Sequence, residues 1–141
     1  MNFGELSMDY IHVLKSKCKS LSKLKKYSFD ERYIATDTGR IYLIKRIEKN
    51  TYMCKALKPY IDRQGYVEYV LTDTRGIKKH LLIHRVVAEL FIPNRNTAKT
   101  QVNHIDGNKQ NNDVRNLEWL TPSENIIHMH RMYKEKREKE K

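Results

Sequence analysis

The chain has 141 residues, the size of one ordinary domain, and its 39% of apolar residues can form only a modest core. The 28 Lys and Arg residues exceed the 17 Asp and Glu residues, and the resulting net charge of +11 favours a polyanionic partner such as nucleic acid. The two cysteines, Cys18 and Cys54, are isolated, which excludes a disulfide framework and fits a reducing compartment. With no recognisable signal peptide or transmembrane stretch, the sequence predicts an intracellular protein.

The N-terminal segment, residues 1–27, has the pattern of a basic amphipathic helix. Within residues 5–26, apolar side chains recur at helix-like spacings, and most of the other positions are Lys or Ser. This periodicity predicts a helix. Its lysine face would suit a phosphate backbone and solvent equally well.

Residues 28–82 alternate apolar and polar positions around turns that contain glycine. The pattern predicts about four short antiparallel strands within 33–82, with Pro59 at a strand start or on an edge. Lys, Arg and Tyr on an open face would suit DNA or RNA, although an ordinary half-exposed sheet has the same pattern. The predicted turns fall at Thr38-Gly39, Gln64-Gly65 and Arg75-Gly76.

Residues 83–92, IHRVVAELFI, place apolar side chains on one helical stripe, and Pro93 follows them. We therefore predict a short helix that packs into the core and ends before the proline. His84 is expected in the core with a hydrogen-bonded ring nitrogen, and its neighbour Arg85 is a candidate to contact a phosphate. His80 and His84 are four residues apart, but no further ligands have a suitable spacing, so we reject a zinc site here.

The stretch 101–125, QVNHIDGNKQNNDVRNLEWLTPSEN, predicts a strand, a long loop, a second strand and a helix. The first strand would end at His104, and the Asp-Gly and Asn residues that follow are typical of turns. Alternating apolar residues within 116–120 indicate the second strand. The helix would begin with an N-cap threonine, a proline at the first position and a capping-box glutamate, which are Thr121, Pro122 and Glu124.

This order of elements brings three polar side chains together. The end of the first strand carries Asn103 and His104, and antiparallel pairing places it beside the first helical turn, which carries Asn125. An amide oxygen can ligate a hard cation such as Mg²⁺, and an imidazole can act as the general base for a water that attacks phosphorus. From these residues alone, the alternative of a polar loop rich in Asn for turn chemistry stays open.

The sequence NHIDGNKQNNDVRNLEWLTPSENIIH resembles the motif of the HNH endonucleases, which have the ββα-metal fold, in the version common in phage and intron-encoded homing endonucleases. The likeness rests on the spacing of His104, Asn116 and Asn125. Upstream, IHRVVAELFIPN resembles the helix that precedes the motif, and YIATDTGRIYLI and LKPYIDRQGYVEYVL resemble the N-terminal strands. The resemblance therefore covers residues 28–130.

The resemblance implies a DNA endonuclease that uses one divalent cation, Mg²⁺ in the first place and Mn²⁺ in the second. His104 would be the general base, and Asn116 would hydrogen-bond across the loop and hold the backbone and ring of His104. Asn103 and Asn125 would ligate the cation. Many relatives have Asp immediately before this histidine, and because a neutral amide attracts a cation less, we expect weak metal affinity in the absence of DNA.

Other side chains receive smaller assignments. His128 lies one helical turn after Asn125 and is a candidate accessory group, with a DNA-facing or solvated position as the alternative. The remaining asparagines of the run, Asn108, Asn111 and Asn112, need serve only the loop. Candidate contacts to the DNA are Arg85, Lys109, Arg115 and Arg131.

These assignments predict an α+β protein with a small antiparallel sheet region followed by a ββα-metal (HNH) nuclease motif, flanked by basic helices. The predicted segments are a basic N-terminal helical segment at 1–27, an antiparallel β DNA-binding region at 28–82, the nuclease core at 83–133 and a charged tail at 134–141. Double-stranded DNA is the expected partner, a membrane is not, and both a monomer and a homodimer fit the sequence. The alternatives are a non-catalytic DNA-binding module that retains the HNH shell and an RNA-binding sheet protein, which the tyrosines suggest.

Overall fold

The computed structural model describes residues 16–49 and 51–140. Within these ranges the two α-helices are α1 (Ile83–Phe91) and α2 (Pro122–Lys139), and 3-10 helices span Leu21–Lys23 and Val114–Asn116. The strands are β1 (Cys18–Ser20), β2 (Tyr33–Thr36), β3 (Ile41–Glu48), β4 (Thr51–Ala56), β5 (Tyr60–Ile61), β6 (Val67–Thr72), β7 (Lys78–Leu82), β8 (Gln101–His104) and β9 (Leu117–Leu120).

The strands form three small antiparallel sheets in which neighbours in the chain are neighbours in space. The sheets have the orders β1-β2-β3-β4, β5-β6-β7 and β8-β9. The predicted α+β class is therefore confirmed. Six strands, rather than the predicted four, lie between residues 33 and 82, because the chain turns more often than its alternation suggests. Pro59 directly precedes the edge strand β5, as predicted.

The helix predicted over residues 5–26 is wrong where the structure describes it, and residues 5–15 lie outside the described ranges. Cys18–Ser20 pair with β2, and a single 3-10 turn follows. Ser20 starts this turn, because its hydroxyl accepts a hydrogen bond from the N–H of Ser22 at 3.2 Å. Leu21 and Leu24 have the spacing expected of a helix, but they serve to bury this one turn against the core.

One hydrophobic cluster joins the sheets through α1. Six of the nine residues of α1 are buried, and the helix contacts β2, β6, β7, β8 and β9. The cluster crosses the predicted segment boundary between residues 82 and 83, and α2 continues unbroken past residue 133, so the four-part division stays a prediction. Members of the cluster from different elements include Leu21, Ala35, Ile41, Leu71, Leu81, Val87, Val102 and Leu117.

The helix α2 begins as the sequence predicts. The Thr121 hydroxyl accepts from the N–H of Glu124 at 3.2 Å, and the Glu124 carboxylate accepts from the N–H of Thr121 at 3.0 Å, which completes the capping box. None of the side chains of α2 is fully buried. Across residues 16–49 and 51–140, no helix is sufficiently long and apolar to cross a membrane.

Candidate active site

The candidate site lies where β8, β9 and the start of α2 meet. The two strands pair in antiparallel fashion, with His104 opposite Leu117. Since β9 ends beside the cap residue Thr121, the first turn of α2 returns to β8, and the side-chain N–H of Asn125 donates to Gln101 Oε1. The pairing therefore brings the helix N-terminus against the strand that carries Asn103 and His104, as the order of elements predicts.

The loop between the two strands, residues 105–116, is held by its own side chains. Asp106 Oδ1 accepts from the N–H of Asn108 at 2.8 Å and from Asn116 Nδ2 at 2.9 Å. Asn116 also accepts from the N–H of Asp106 at 3.0 Å and donates to the carbonyl of Asn111 at 2.8 Å. The cross-loop hydrogen bonds expected of Asn116 are thus present, and they fix the backbone that follows His104.

A different asparagine holds the ring of His104. Nε2 of His104 lies 2.7 Å from Oδ1 of Asn112, and both side chains are buried. The side chain of Asn116 contacts Asp106 and Asn111 instead of the imidazole, so the expectation that it holds the ring is wrong. The interpretation of Asn112 as only a loop residue is also wrong, because the loop turns inward there and buries the amide beside the ring.

Burial also favours the neutral form of His104. The side chain is 5% exposed. Desolvation lowers the pKa of its imidazole below the ordinary value, because a charged ring loses hydration in the protein interior. The hydrogen bond with Asn112 and the charge of Asp106 oppose this decrease in pKa, and the charge of Lys109 adds to it. A neutral imidazole can accept a proton, which a general base requires.

A second histidine lies against the first. His84 on α1 stacks on Tyr66, with ring centroids 4.9 Å apart, and its centroid lies 5.0 Å from that of His104. Burial, together with the charges of His104 and Arg85, lowers the pKa of His84 to about 4. The predicted core position of His84 is confirmed. The predicted hydrogen bond is absent at Nδ1, which has no partner among the described residues. The rings of Tyr66 and His104 pack against His84 without offering that nitrogen a hydrogen-bond partner.

Two amides fit a hard cation. Asn103 Nδ2 donates to Glu118 Oε1 at 3.0 Å, and Asn125 Nδ2 is engaged by Gln101. Each amide nitrogen is therefore anchored, which leaves each Oδ1 available to ligate Mg²⁺. The described residues contain no group of three His, Cys, Asp or Glu that could hold a metal. A cation here would take its remaining oxygens from water and a phosphate, and the weak affinity expected in the absence of DNA stays a prediction.

One cavity of about 430 Å³ is lined by Asn103, His104 and Asn125. His128 also lines it, and its Nε2 donates to the carbonyl of Ile105 at 3.2 Å, a contact that ties α2 to the loop. The walls of the cavity also carry two lysines, Lys109 and Lys136, and two tyrosines, Tyr66 and Tyr133. Of these four residues, only Lys109 was a candidate from the sequence.

The four candidate DNA contacts have different surroundings. Lys109 lines the cavity and donates to a backbone carbonyl of the β5–β6 turn at 2.8 Å. Arg85 donates to a backbone carbonyl just before β8 at 3.2 Å. Arg115 is engaged by the carboxylate of Asp113 at 2.9 Å and 3.0 Å, which satisfies much of its hydrogen-bonding capacity. Arg131 is exposed on α2.

Known proteins are similar to this chain in sequence and in fold. Residues 81–126, which run from the end of β7 into the first turns of α2, match the family model for HNH endonucleases. The resemblance to the HNH endonucleases seen in the sequence is confirmed over this segment.

Relatives extend the similarity beyond that segment. An uncharacterised HNH endonuclease of Acanthamoeba polyphaga mimivirus is 43% identical over 114 residues, which cover 78% of this chain and 32% of the relative. The DNA endonuclease I-HmuI of Bacillus phage SP01 is 34% identical over 98 residues, which cover 70% of this chain and 51% of that protein. A solved structure of the HNH homing endonuclease I-HmuI, concerned with its DNA binding and cleavage, matches 82% of this chain and 59% of that chain with a TM-score of 0.63 and 32% identity. The chain thus spans about a third of the length of the first of these curated relatives and about half of the second.

Proposed function

We propose that this chain is a metal-dependent DNA endonuclease that hydrolyses phosphodiester bonds. The observation that carries the proposal is the convergence of Asn103, His104 and Asn125 on one cavity within a segment of the HNH family. Lys109 and Lys136 on the walls of this cavity supply positive charge, which attracts a phosphate backbone. Double-stranded DNA is the proposed substrate, and such a substrate places the protein inside a cell or a virus-infected cell.

His104 is the general base of the proposed reaction. Its lowered pKa keeps the ring neutral, and Nε2 is occupied by Asn112, so Nδ1 takes the proton from the attacking water. Asn103 and Asn125 would hold one divalent cation, for which Mg²⁺ is the first candidate and Mn²⁺ the second. Such a cation, when bound, stabilises negative charge on the scissile phosphate and on the leaving 3′ oxygen.

The remaining residues orient the reacting groups and the substrate. Asn116 keeps the loop after His104 in one conformation through its three hydrogen bonds. His128 fixes the helix against the same loop and lines the cavity. We assign phosphate contacts to Lys109, Arg85 and Arg131; such contacts set the register of DNA without reading its sequence. Arg115 is the weakest of the four candidates, because its charge is already paired with an aspartate.

A plasmid-nicking assay tests the proposal. Supercoiled plasmid is incubated with the protein and Mg²⁺, and then with Mn²⁺, and the relaxed form is quantified over time for the wild type, for His104→Ala and for His80→Ala. Loss of a general base typically lowers the rate by about 10²- to 10⁴-fold, so His104→Ala should be nearly inactive while it still shifts DNA in a gel. His80 is an exposed histidine on β7, and its replacement should leave nicking unchanged. Equal cleavage by all three proteins would remove His104 from the mechanism.

The same assay addresses the rival functions. A non-catalytic DNA-binding module is favoured by one observation, the neutral Asn103 at a position where many related nucleases have a carboxylate. That module would bind duplex DNA without metal-dependent nicking by the wild type. An RNA-binding protein would retain RNA in a gel shift against an excess of duplex DNA, and the endonuclease would not.

A further inference from the structure

Asn112 is hydrogen-bonded to the ring of His104. Its side chain is 5% exposed, and its Oδ1 lies 2.7 Å from Nε2 of the imidazole. An amide oxygen only accepts hydrogen bonds, so the contact through Oδ1 pairs with the tautomer that carries its hydrogen on Nε2. Because a neutral imidazole has a single N–H group, the contact leaves the lone pair on Nδ1.

The β2–β3 turn holds Asn112 in its place. Gly39 in this turn has a φ of +89°, and a Cβ added there would lie 2.8 Å from Asn112 Cβ and 2.9 Å from its carbonyl oxygen. Two residues after Asn112, the N–H of Val114 donates to the carbonyl of Asp37 in the same turn at 2.8 Å. Only a residue without a side chain lets the turn approach this closely. The β2–β3 turn of the first sheet is therefore the surface against which Asn112 packs, and we call this surface its seat.

We propose that Asn112 is a positioning residue that fixes the tautomer and the orientation of His104, and that the turn at Gly39 holds Asn112 in place for this purpose. The proposal rests on the proposed function, in which His104 is the general base. It adds a residue that touches no reacting atom and acts through the ring. It also gives the first sheet a role in the chemistry, because that sheet supplies the surface against which the asparagine is packed.

The hydrogen bond strengthens as the reaction proceeds. Nδ1 of His104 takes a proton from the attacking water, the water oxygen bonds to phosphorus, and the bond from phosphorus to the 3′ oxygen breaks; that oxygen receives a proton from solvent. The imidazole then carries two N–H groups and a positive charge, so its Nε2–H bond to Asn112 becomes charge-assisted. Without an acceptor at residue 112, the ring can rotate and populate both tautomers, and fewer molecules present Nδ1 as the base.

Substitutions of Asn112 test the assignment of the tautomer. Asn112→Leu removes the acceptor at similar volume, and Asn112→Asp keeps an oxygen acceptor in the same place. We expect Asn112→Leu to lower kcat by about 10- to 100-fold, with the KM for plasmid within about twofold of the wild type, and we expect Asn112→Asp to retain most of kcat. Asn96→Leu, in the exposed loop before β8, is the matched control and should behave as the wild type. Equal losses of kcat in Asn112→Leu and Asn112→Asp, or full activity in Asn112→Leu, would overturn the proposal.

Two glycines provide an independent test that does not change Asn112. Gly39 and Gly76 both lie in hairpin turns with positive φ, of +89° and +83°, but a Cβ at Gly76 meets no atom within 4 Å. Gly39→Ala and Gly76→Ala therefore introduce similar backbone strain, and only the first displaces Asn112. We expect kcat to fall about tenfold in Gly39→Ala and to be unchanged in Gly76→Ala. Equal kcat in the two variants would show that the packing of Asn112 against the turn at Gly39 has no role. If Asn112→Leu fails to fold, these two glycine variants still test the proposal.

Nitrogen-15 NMR of the imidazole separates this inference from the proposed function. Long-range proton–nitrogen spectra report which ring nitrogen of a neutral histidine is protonated, and they require no cleavage. We expect the Nε2–H form for His104 in the wild type and a mixture of both tautomers in Asn112→Leu, both at neutral pH. An Nδ1–H form in the wild type would overturn the inference even if plasmid is cleaved. An Nε2–H form in a protein that never cleaves would leave the geometry in place and overturn the endonuclease instead.

Discussion

The two larger sheets and the ββα segment bury polar groups for different reasons. In the sheets, the buried polar side chains among the described residues are Thr36 and Asp73, and both form hydrogen bonds in hairpin turns. Asp73 Oδ1 accepts from two backbone N–H groups at 2.9 Å and 3.0 Å. In and against the ββα segment, five polar side chains of the described ranges are buried. They are His84, Asn103, His104, Asn112 and Asn116.

The difference separates the part of the chain that stabilises the fold from the part that carries the proposed chemistry. Burying an amide or an imidazole costs free energy unless hydrogen bonds replace those to water. In the sheets, hydrogen bonds within single turns offset that cost. In the ββα segment, the hydrogen bonds that offset it extend over residues 103–125. His84 leaves one nitrogen without a partner among the described residues. Such a concentration of costly groups is expected where a site is held in one geometry for function.

The largest effect on stability should come from Asn116→Ala. The side chain makes three hydrogen bonds within the loop, and its loss strands the N–H of Asp106 and the carbonyl of Asn111. We expect the free energy of unfolding to fall by about 3 to 4 kcal/mol, as measured by urea unfolding. Asn108→Ala, which removes one exposed turn contact, is the control and should lose less than about 1 kcal/mol. Similar losses in the two variants would contradict the view that the network, rather than turn chemistry, holds the loop.

His84 should make the stability of the protein sensitive to mild acid. Its pKa is about 4 in the folded protein and 6.5 in its ordinary state, so the unfolded chain binds the proton more readily. Stability that is present above about pH 6.5 is therefore lost as the pH falls toward about 4, by about 3 kcal/mol. Urea unfolding at several pH values measures the loss.

His84→Phe is the matched variant for this pH effect. It keeps an aromatic ring against Tyr66 and His104, and Nδ1 gives up no hydrogen bond, so we expect stability at neutral pH at least equal to that of the wild type. The pH dependence that remains in the variant reports His104 and the carboxylates. An identical pH dependence in wild type and variant would show that the buried ring does not titrate as its surroundings indicate.

A smaller effect, on metal affinity, is expected from Asn103→Asp. The amide lies 3.0 Å from the Glu118 carboxylate, so the substitution places two negative groups side by side and strengthens attraction for a divalent cation. We expect Mn²⁺ to bind at least about tenfold more tightly in the absence of DNA, which corresponds to about 1.4 kcal/mol, as measured by calorimetry. Asn96→Asp adds the same charge in an exposed loop and should change nothing. Unchanged affinity in Asn103→Asp would mean that residue 103 does not face the cation.

Local signals made most of the ββα segment predictable from the sequence. The capping box, the proline at the start of α2 and the Asp-Gly turn each depend on neighbouring residues, and each is present as predicted. The helix predicted over residues 5–26 failed because its local signal is ambiguous. The spacing of Leu21 and Leu24 suits both a helix and a single buried 3-10 turn. Pairing with β2, which lies more than ten residues away, decides between them, and periodicity does not report such pairing.

The candidate site was predictable as a set of neighbouring residues but not as a set of contacts. The spacing of His104, Asn116 and Asn125 identified the segment, yet the run of asparagines gives no sign that Asn112, and not a neighbour, turns inward. That choice depends on the close approach of Gly39, which is distant in the chain. His84 carried a weaker signal, since a histidine on the apolar stripe of a buried helix must meet another buried group.

The smallest effect on stability should come from Thr121→Ala, which removes half of the capping box of α2. An N-cap substitution of this kind costs about 1 kcal/mol. Because none of the side chains of α2 is fully buried, the loss should appear as fraying of the first helical turn, which carries Asn125, more than as a lower midpoint of global unfolding. Hydrogen exchange of the amides in residues 123–128 measures the fraying, and Ser123→Ala, inside the helix, is the control. A loss of global stability as large as that of Asn116→Ala would contradict the comparison, because it would make the helix start, and not the loop network, the structural centre of the segment.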